Sequence, residues 1–164
     1  MATWVLALSG CADPAEDSPA PTPEEQFTAD GVSILEFEAG RIIWRGRMEH
    51  AAGDHEGITG RGLTLVRTIP GQDHSPMTVR APVAKIKFDP AEAWFEDVVI
   101  ENEEGATLTT RRATYQEKTG TIVAPESVEV RAQGLRFVAR SAVVHVAEGQ
   151  MDLAGPIEGR WIPD

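Results

Sequence analysis

Hydrophobic and polar residues alternate along most of the chain after Gly31, and this two-residue period predicts β-strands. The alternating segments are short, and dipeptides rich in Gly, Asn and Asp separate them, as at Glu104-Gly105 and Gln133-Gly134. Both of these dipeptides lie between apolar segments and are typical of hairpin turns. No long stretch shows the 3.6-residue period of a helix. The pattern therefore predicts an all-β fold.

Three segments of the chain repeat at a fixed offset of 29 residues, namely 78–88, 107–117 and 136–146. The matching columns are Val79, Leu108 and Phe137; Ala81, Thr110 and Ala139; Ala84, Ala113 and Ala142; and Ile86, Tyr115 and Val144. Between the second and third columns the apolar alternation slips by one residue in every copy. An extra residue at the same place in successive strands is expected at a bulge or corner, where a strand bends from one sheet into another.

Each bent strand is followed by a second apolar segment, so the repeating unit is a bent pair of strands. Stacked units predict one domain over residues 31–164, a β-roll or β-jellyroll with two facing sheets. An ordinary β-sandwich with a coincidental repeat is the alternative.

The interior of such a roll is the first candidate site. Alternating large and small columns can leave a groove for acyl chains, each buried methylene contributing about 0.8 kcal/mol. The same side chains could equally fill the interior as a core, and composition alone favours that reading. The candidate lining residues are Val79, Ala81, Ile86, Leu108, Thr110, Tyr115, Phe137, Ala139 and Val144.

The last predicted strand, 151–162, is the second candidate site. It reaches nearly to the final residue, and its apolar positions are Met151, Leu153, Ile157 and Trp161. An open edge strand can accept a strand from a partner protein. The neighbouring Gly155 and Pro156 argue partly for a blunted edge instead.

The amino terminus contains Leu8-Ser9-Gly10-Cys11, directly after a short apolar run. All four positions match a bacterial lipobox, in which the cysteine is lipidated and the chain is cut before it. Residues 1–10 are therefore predicted to be a lipoprotein signal peptide and Cys11 the lipid attachment site. A buried or incidental cysteine is the alternative. Residues 11–30 are rich in Pro, Ala, Asp and Glu and are predicted to be a flexible tether.

Charge and cysteine content exclude several classes of function. The formal net charge is −11 and there is a single cysteine. An acidic chain is not expected to bind nucleic acid, and one cysteine allows no internal disulfide and no zinc site built on cysteines. No run after Cys11 approaches the roughly 20 apolar residues that a membrane span needs.

Catalytic and metal-binding patterns are weak. His50, Asp54, His55 and Glu56 are close in sequence and could ligate a metal, but they fall at a turn with glycine, where polar residues are ordinary. No nucleophile elbow and no zinc-protease motif occurs. We therefore expect no catalytic residue, no bound metal and no cofactor, and an enzyme modifying lipid or glycan is the weakest hypothesis.

Three stretches resemble the LptC-type proteins of lipopolysaccharide transport, which share the OstA-like β-jellyroll. They are Asp30-Gly31-Val32, RATYQEKTGTIVAPESVEV (112–130) and RSAVVHVAEGQMDLAGPIEG (140–159). The resemblance implies a noncatalytic roll that passes lipopolysaccharide from an inner-membrane ABC transporter to a periplasmic bridge of similar rolls by strand addition. Most members have an amino-terminal membrane helix, whereas this chain has the lipobox.

Together these features predict a lipid-anchored protein at the periplasmic face of the cell envelope. Its expected ligand is the acyl chains of lipopolysaccharide. The membrane that holds the anchor stays open, because Ala12 does not support retention in the inner membrane. The alternative function is an envelope scaffold that pairs edge to edge with other β proteins and carries no lipid.

Overall fold

A computed structural model describes residues 3–7, 26–38, 41–67 and 77–162, and it confirms the all-β prediction. Its elements belong to one antiparallel sheet of 13 strands, with one short 3-10 turn at Glu117–Thr119. The strands are β1 (Thr3–Ala7), β2 (Phe27–Glu38), β3 (Arg41–Gly53), β4 (Gly57–Arg67), β5 (Met77–Phe88), β6 (Ala91–Asn102), β7 (Thr107–Gln116), β8 (Thr121–Ala124), β9 (Val128–Ala132), β10 (Leu135–Ala139), β11 (Ser141–His145), β12 (Gln150–Ala154) and β13 (Glu158–Trp161).

The sheet runs as a simple meander from β1 to β7 and then divides. One end of β7 pairs with β8, and the order continues β8-β11-β12. The other end of β7 pairs with β9, and the order continues β9-β10-β13. We call the part that includes β8, β11 and β12 half-sheet 1, and the part that includes β9, β10 and β13 half-sheet 2. Strands β2–β7 run through both halves.

A corner crosses all of these strands and bends the sheet into a jellyroll-like fold. Regular pairing is interrupted there in every pair from β2 to β7. Gly31 and Gly62 have φ values of +66° and +65°, a left-handed conformation that glycine adopts without steric cost. Asp97 takes the same region at +50°. The corner residues are Gly31, Glu49, Gly62, Pro82, Asp97 and Arg111.

Burial confirms the predicted slip in the apolar alternation. In β5 the buried positions step by two as far as Ala81 and resume at Ala84, and β4, β6 and β7 show the same slip. The prediction of an extra residue is wrong for β4–β7. The burial pattern slips at the same place in both strands of each pair, so the pairing register is the same on both sides of the corner. The prediction holds only beyond β7, where Thr114 pairs with Val123 but Leu108 pairs with Val130, a shift of one residue.

The 29-residue repeat is explained by this register. Val79 pairs with Ile100, which pairs with Leu108, and the same row continues through Val130 to Phe137. After two strands, which together with their turns take 29 residues, the chain therefore returns to the same row of paired residues. The row from Ile86 to Tyr115 and Val144 in half-sheet 1 follows the same rule.

The row of half-sheet 1 next to the corner consists almost entirely of small residues, which let the two halves approach closely. Gly60 lies in this row, and a β-carbon there would overlap the Met48 sulfur and the His50 carbonyl oxygen. Phe95 and Leu153 are the larger side chains in register with this row. The small residues of this row are Ala29, Ala51, Gly60, Ala84, Ala113, Ala124 and Ala142.

Two boundaries at the amino-terminal end differ from the sequence prediction. Phe27–Asp30 belong to β2 and not to the tether, because Phe27 and Ala29 pack against the core and their backbone pairs with β3. Residues 1–10 were expected to lie outside the fold, whereas Thr3–Ala7 form β1 and pair with residues 33–37 of β2. An extended segment there satisfies backbone groups of an otherwise open edge. Cleavage before Cys11 would remove this strand, and cleavage itself stays a prediction.

The last predicted strand, 151–162, is in fact two strands on different halves of the sheet. β12 pairs with β11 in half-sheet 1, and β13 pairs with β10 in half-sheet 2. Gly155, with φ of +92°, and Pro156 lie between them. The chain turns the corner here between two strands, whereas β2–β7 turn it within a single strand.

Candidate functional site

The interior between the two half-sheets contains the predicted lining residues. Val79, Ile86 and Leu108 are fully buried, and Phe137 is half-buried and packs against the same core. The remaining lining residues are also buried, namely Ala81, Thr110, Tyr115, Ala139 and Val144. The repeat thus places all nine on the inner face of the bent sheet.

These lining residues pack into one continuous hydrophobic cluster with the rest of the core. A ligand could therefore reach them only if the half-sheets moved apart or if the ligand replaced some of these contacts. Thr110 is the polar member of the set, and its hydroxyl donates to the carbonyl oxygen of Ser127 at 3.2 Å. The Thr110 hydroxyl is thus already hydrogen-bonded within the fold.

A buried polar cluster joins the two half-sheets. Tyr115 of β7 donates a hydrogen bond from its hydroxyl to Glu36 Oε1 of β2 at 3.4 Å, although 79 positions separate them in sequence. Glu36 is fully buried. The Tyr115 ring also packs edge-on against Trp44, with centroids 6.0 Å apart at 75°. Arg67 lies over the Trp44 ring at 5.4 Å.

The electrostatics of this cluster favour a neutral tyrosine. Burial raises the pKa of Tyr115 to about 12, and the Glu36 carboxylate contributes in the same direction, while Trp44 and Arg67 act against it. Burial disfavours the charged phenolate because it removes water, and the neighbouring Glu36 carboxylate disfavours it because the two charges repel. The Tyr115 hydroxyl is therefore a hydrogen-bond donor at any physiological pH and not a general base.

Sequence reasoning did not assign this cluster, although one signal for it exists. Glu36 follows Val32 and Ile34 at every second position of β2, so the alternation itself indicates that this carboxylate faces the interior. Tyr115 was assigned to the interior as an apolar lining residue. Their meeting depends on the fold of the whole roll, which a local pattern does not contain.

The predicted partner edge is only partly exposed. Ile157 and Trp161 are 52% and 66% exposed, whereas Met151 and Leu153 are half-buried and pack against the core. Among the described residues, no further strand pairs with β12 beyond β11, or with β13 beyond β10. Each half-sheet thus ends in an edge strand of this carboxyl-terminal segment.

The remaining candidates take structural roles or lie outside the described residues. Asp54 Oδ1 accepts hydrogen bonds from the backbone nitrogens of Glu56 and Gly57, at 2.8 and 3.2 Å, and thereby closes the β3–β4 turn. His50 pairs with Asp30. Within the described ranges, no three His, Cys, Asp or Glu side chains come close enough to share a metal ion. Cys11 lies outside the described residues.

None of the described segments forms a helix long and apolar enough to cross a bilayer. Comparison with protein-family models and with curated proteins gives no matching family and no matching relative.

Proposed function

We propose that this protein is a noncatalytic, lipid-anchored envelope protein that binds the acyl chains of lipopolysaccharide and passes them to similar rolls. The observation that carries the proposal is the continuous apolar face of one bent sheet, folded so that its two halves face each other. Rows such as Val79–Ile100–Leu108–Val130–Phe137 run across successive strands toward the open edges. An acyl chain lying along such rows would exchange apolar contacts with little change in hydrogen bonding.

The edges of the sheet support transfer between rolls. The edge strand β13 is exposed along its length and carries Trp161, and Ile157 precedes it. A partner strand added there would extend half-sheet 2 beyond Gly159, which is in register with Phe137, into a second roll. In this proposal the partners are an inner-membrane lipopolysaccharide transporter and periplasmic rolls of the same kind.

A second candidate is an envelope scaffold that uses the same edges and carries no lipid. The close packing of the interior favours it, since Val79, Ile86 and Leu108 have no exposed surface. The cost of separating the halves would include the contacts of these side chains and of the buried Tyr115–Glu36 pair. The two candidates therefore differ in whether the interior opens.

Site-specific photo-crosslinking in cells separates the two candidates. A benzoylphenylalanine at position 137 places the probe at the half-buried rim of the interior, and Phe137 is itself aromatic. The matched control is position 94, where the native Trp94 is also aromatic and is 37% exposed on the outer face. We expect lipopolysaccharide adducts at 137 and none at 94. Equal labelling, or none at 137 in a protein with unchanged circular dichroism, would leave the scaffold as the function.

A further inference from the structure

Three arginines occupy directly opposed positions on three neighbouring strands of half-sheet 2. Arg136 of β10 is in register with Arg131 of β9 on one side and with Arg160 of β13 on the other. Adjacent strands lie about 4.8 Å apart, so the three side chains share one face within roughly 10 Å. We call them the arginine row. Like charges opposite each other destabilise a sheet, so we expect a negative group to neutralise this row.

The protein supplies only part of that negative charge. Glu129 accepts a hydrogen bond from Arg131 Nε at 2.7 Å and another from Arg136. These two bonds, with that from Arg136 the stronger, lower the pKa of Glu129 to about 2. One carboxylate thus faces two guanidinium groups. Arg160 has no ion pair within the described residues, and neither does Glu158 on the same strand.

Two clefts open on the outer face and meet at Arg136. The larger, of about 360 Å³, is lined by Thr109, Arg111 and Ser127 and also by the carboxylate residues Asp97 and Glu129. The smaller, of about 200 Å³, is lined by Arg160, Glu158 and Gly159. Both clefts also include Arg136 and Val138. An anion at Arg136 would have hydroxyl donors on one side and a second guanidinium on the other.

The arginine row is a positively charged surface in a chain whose net charge is negative. The whole protein has a net charge of −11, yet residues 107–162 contain seven Lys or Arg and six Asp or Glu. The part that builds β7–β13 is therefore close to neutral, and three of its six arginines lie on one face of half-sheet 2. A solubilising surface in this acidic chain would not need that arrangement.

We propose that the arginine row binds a phosphoryl group, as a phosphomonoester or diphosphate. Guanidinium groups bind phosphate oxygens in a bidentate manner. Glu129 alone does not balance the positive charge of the three arginines, so a phosphate dianion can bind beside them. The group belongs either to a small soluble molecule or to a lipid headgroup. The site lies on the outer face, so it does not depend on the proposed binding of acyl chains in the interior.

Titration of the full chain with inorganic pyrophosphate tests the site. The Cys11→Ser background removes any lipid anchor, and calorimetry at near-physiological chloride measures affinity. We expect Arg160→Gln to weaken binding at least about tenfold, a change of 1.4 kcal/mol. The charge-matched control is Arg61→Gln, an exposed arginine of β4 without an ion pair in the described part of the chain. Equal weakening in both variants, or equal binding of acetate, would overturn the proposal.

Vesicles identify the source of the phosphoryl group. The same protein is floated with phosphatidylcholine vesicles that contain phosphatidic acid and with vesicles of phosphatidylcholine alone. Binding to the first that Arg160→Gln weakens and Arg61→Gln does not would assign the site to a lipid headgroup. Binding of pyrophosphate without binding of either vesicle would assign it to a soluble phosphate compound. Both results support the site, and failure of both arms rejects it.

Discussion

The hydroxyl of Tyr115 in half-sheet 1 donates a hydrogen bond to the fully buried carboxylate of Glu36 in half-sheet 2, at 3.4 Å. This contact lies inside an otherwise apolar interior and connects the two halves directly. The Trp44 ring packs edge-on against the Tyr115 ring and thereby restricts the orientation of the Tyr115 side chain. Separation of the half-sheets would have to break it.

The ionisation of Tyr115 can be observed without a label, because it is the only tyrosine in the chain. We expect the phenolate absorbance of the folded protein to rise with a midpoint near pH 12, since burial and then Glu36 raise the pKa of Tyr115 to about 12. The same titration in denaturant should show a midpoint near the ordinary value of 10. A folded midpoint near 10 would mean that Tyr115 is solvated.

Replacement of Tyr115 by Phe should change stability most at high pH. The raised pKa means that the folded state keeps a proton that the unfolded state loses, so wild-type stability falls as pH rises from 10 towards 12. The expected loss from this group is about 3 kcal/mol, from two pKa units at 1.36 kcal/mol each. Urea unfolding of both proteins at pH 8 and near pH 12 checks this. The variant should lack that part of the alkaline loss, and parallel curves would contradict it.

Substitution of Leu108 by Ala should destabilise the roll strongly. Its side chain is fully buried in the row that runs from Ile34 of β2 to Gly159 of β13, so removal leaves a cavity and should cost about 2–5 kcal/mol. Leu135→Ala is the matched control, because Leu135 is 37% exposed and the same change should cost less than about 1 kcal/mol. Thermal or urea unfolding measures both. Similar losses would show that Leu108 is not central to the core.

Glu129 should contribute to stability above pH 4.5 and lose that contribution in acid. Its folded pKa is lowered to about 2, first by Arg136 and then by Arg131, from an ordinary value of 4.5. Wild-type stability should therefore fall as pH drops from 4.5 through 2, and Glu129→Gln should fall less. Unfolding curves across this range test it, with Glu104→Gln in an exposed turn as the control. Added salt should shrink the difference, because the carboxylate is partly exposed.

The predicted anchor is tested through Cys11. Cys11→Ser should abolish membrane fractionation and labelling with radioactive palmitate, because only the cysteine thiol receives the diacylglyceryl group. Ala12→Ser is a suitable control, since it leaves the lipobox intact. A wild-type protein that never incorporates the label would reject the lipobox interpretation.

The strands, the slip and the 29-residue repeat could be predicted because each rests on local alternation. The columns headed by Val79 and Ile86 fall in the interior as expected, and the turn at Glu104-Gly105 forms, with Asn102 accepting from the backbone nitrogen of Ala106. Local alternation identifies which side chains face inward. It does not specify which of them meet across the interior.

The missed features depend on long-range pairing. At the division of the sheet after β7, the two partner strands differ by one residue in register, which no single strand reveals. The arginine row escaped notice because Arg131, Arg136 and Arg160 become neighbours only through the β9-β10-β13 register. Glu129 and Arg136 were simply outward positions in the sequence pattern.

Two consecutive strands return the chain to the same row, and each of β2–β6 pairs with the strand before it and the strand after it. An in-frame tandem duplication of one 29-residue unit would therefore insert two strands, about 10 Å of sheet, without altering existing contacts elsewhere. The corner would be copied with it, since its residues lie inside each unit. Evolution can thus lengthen or shorten such a protein in discrete steps while the terminal edges keep their sequences.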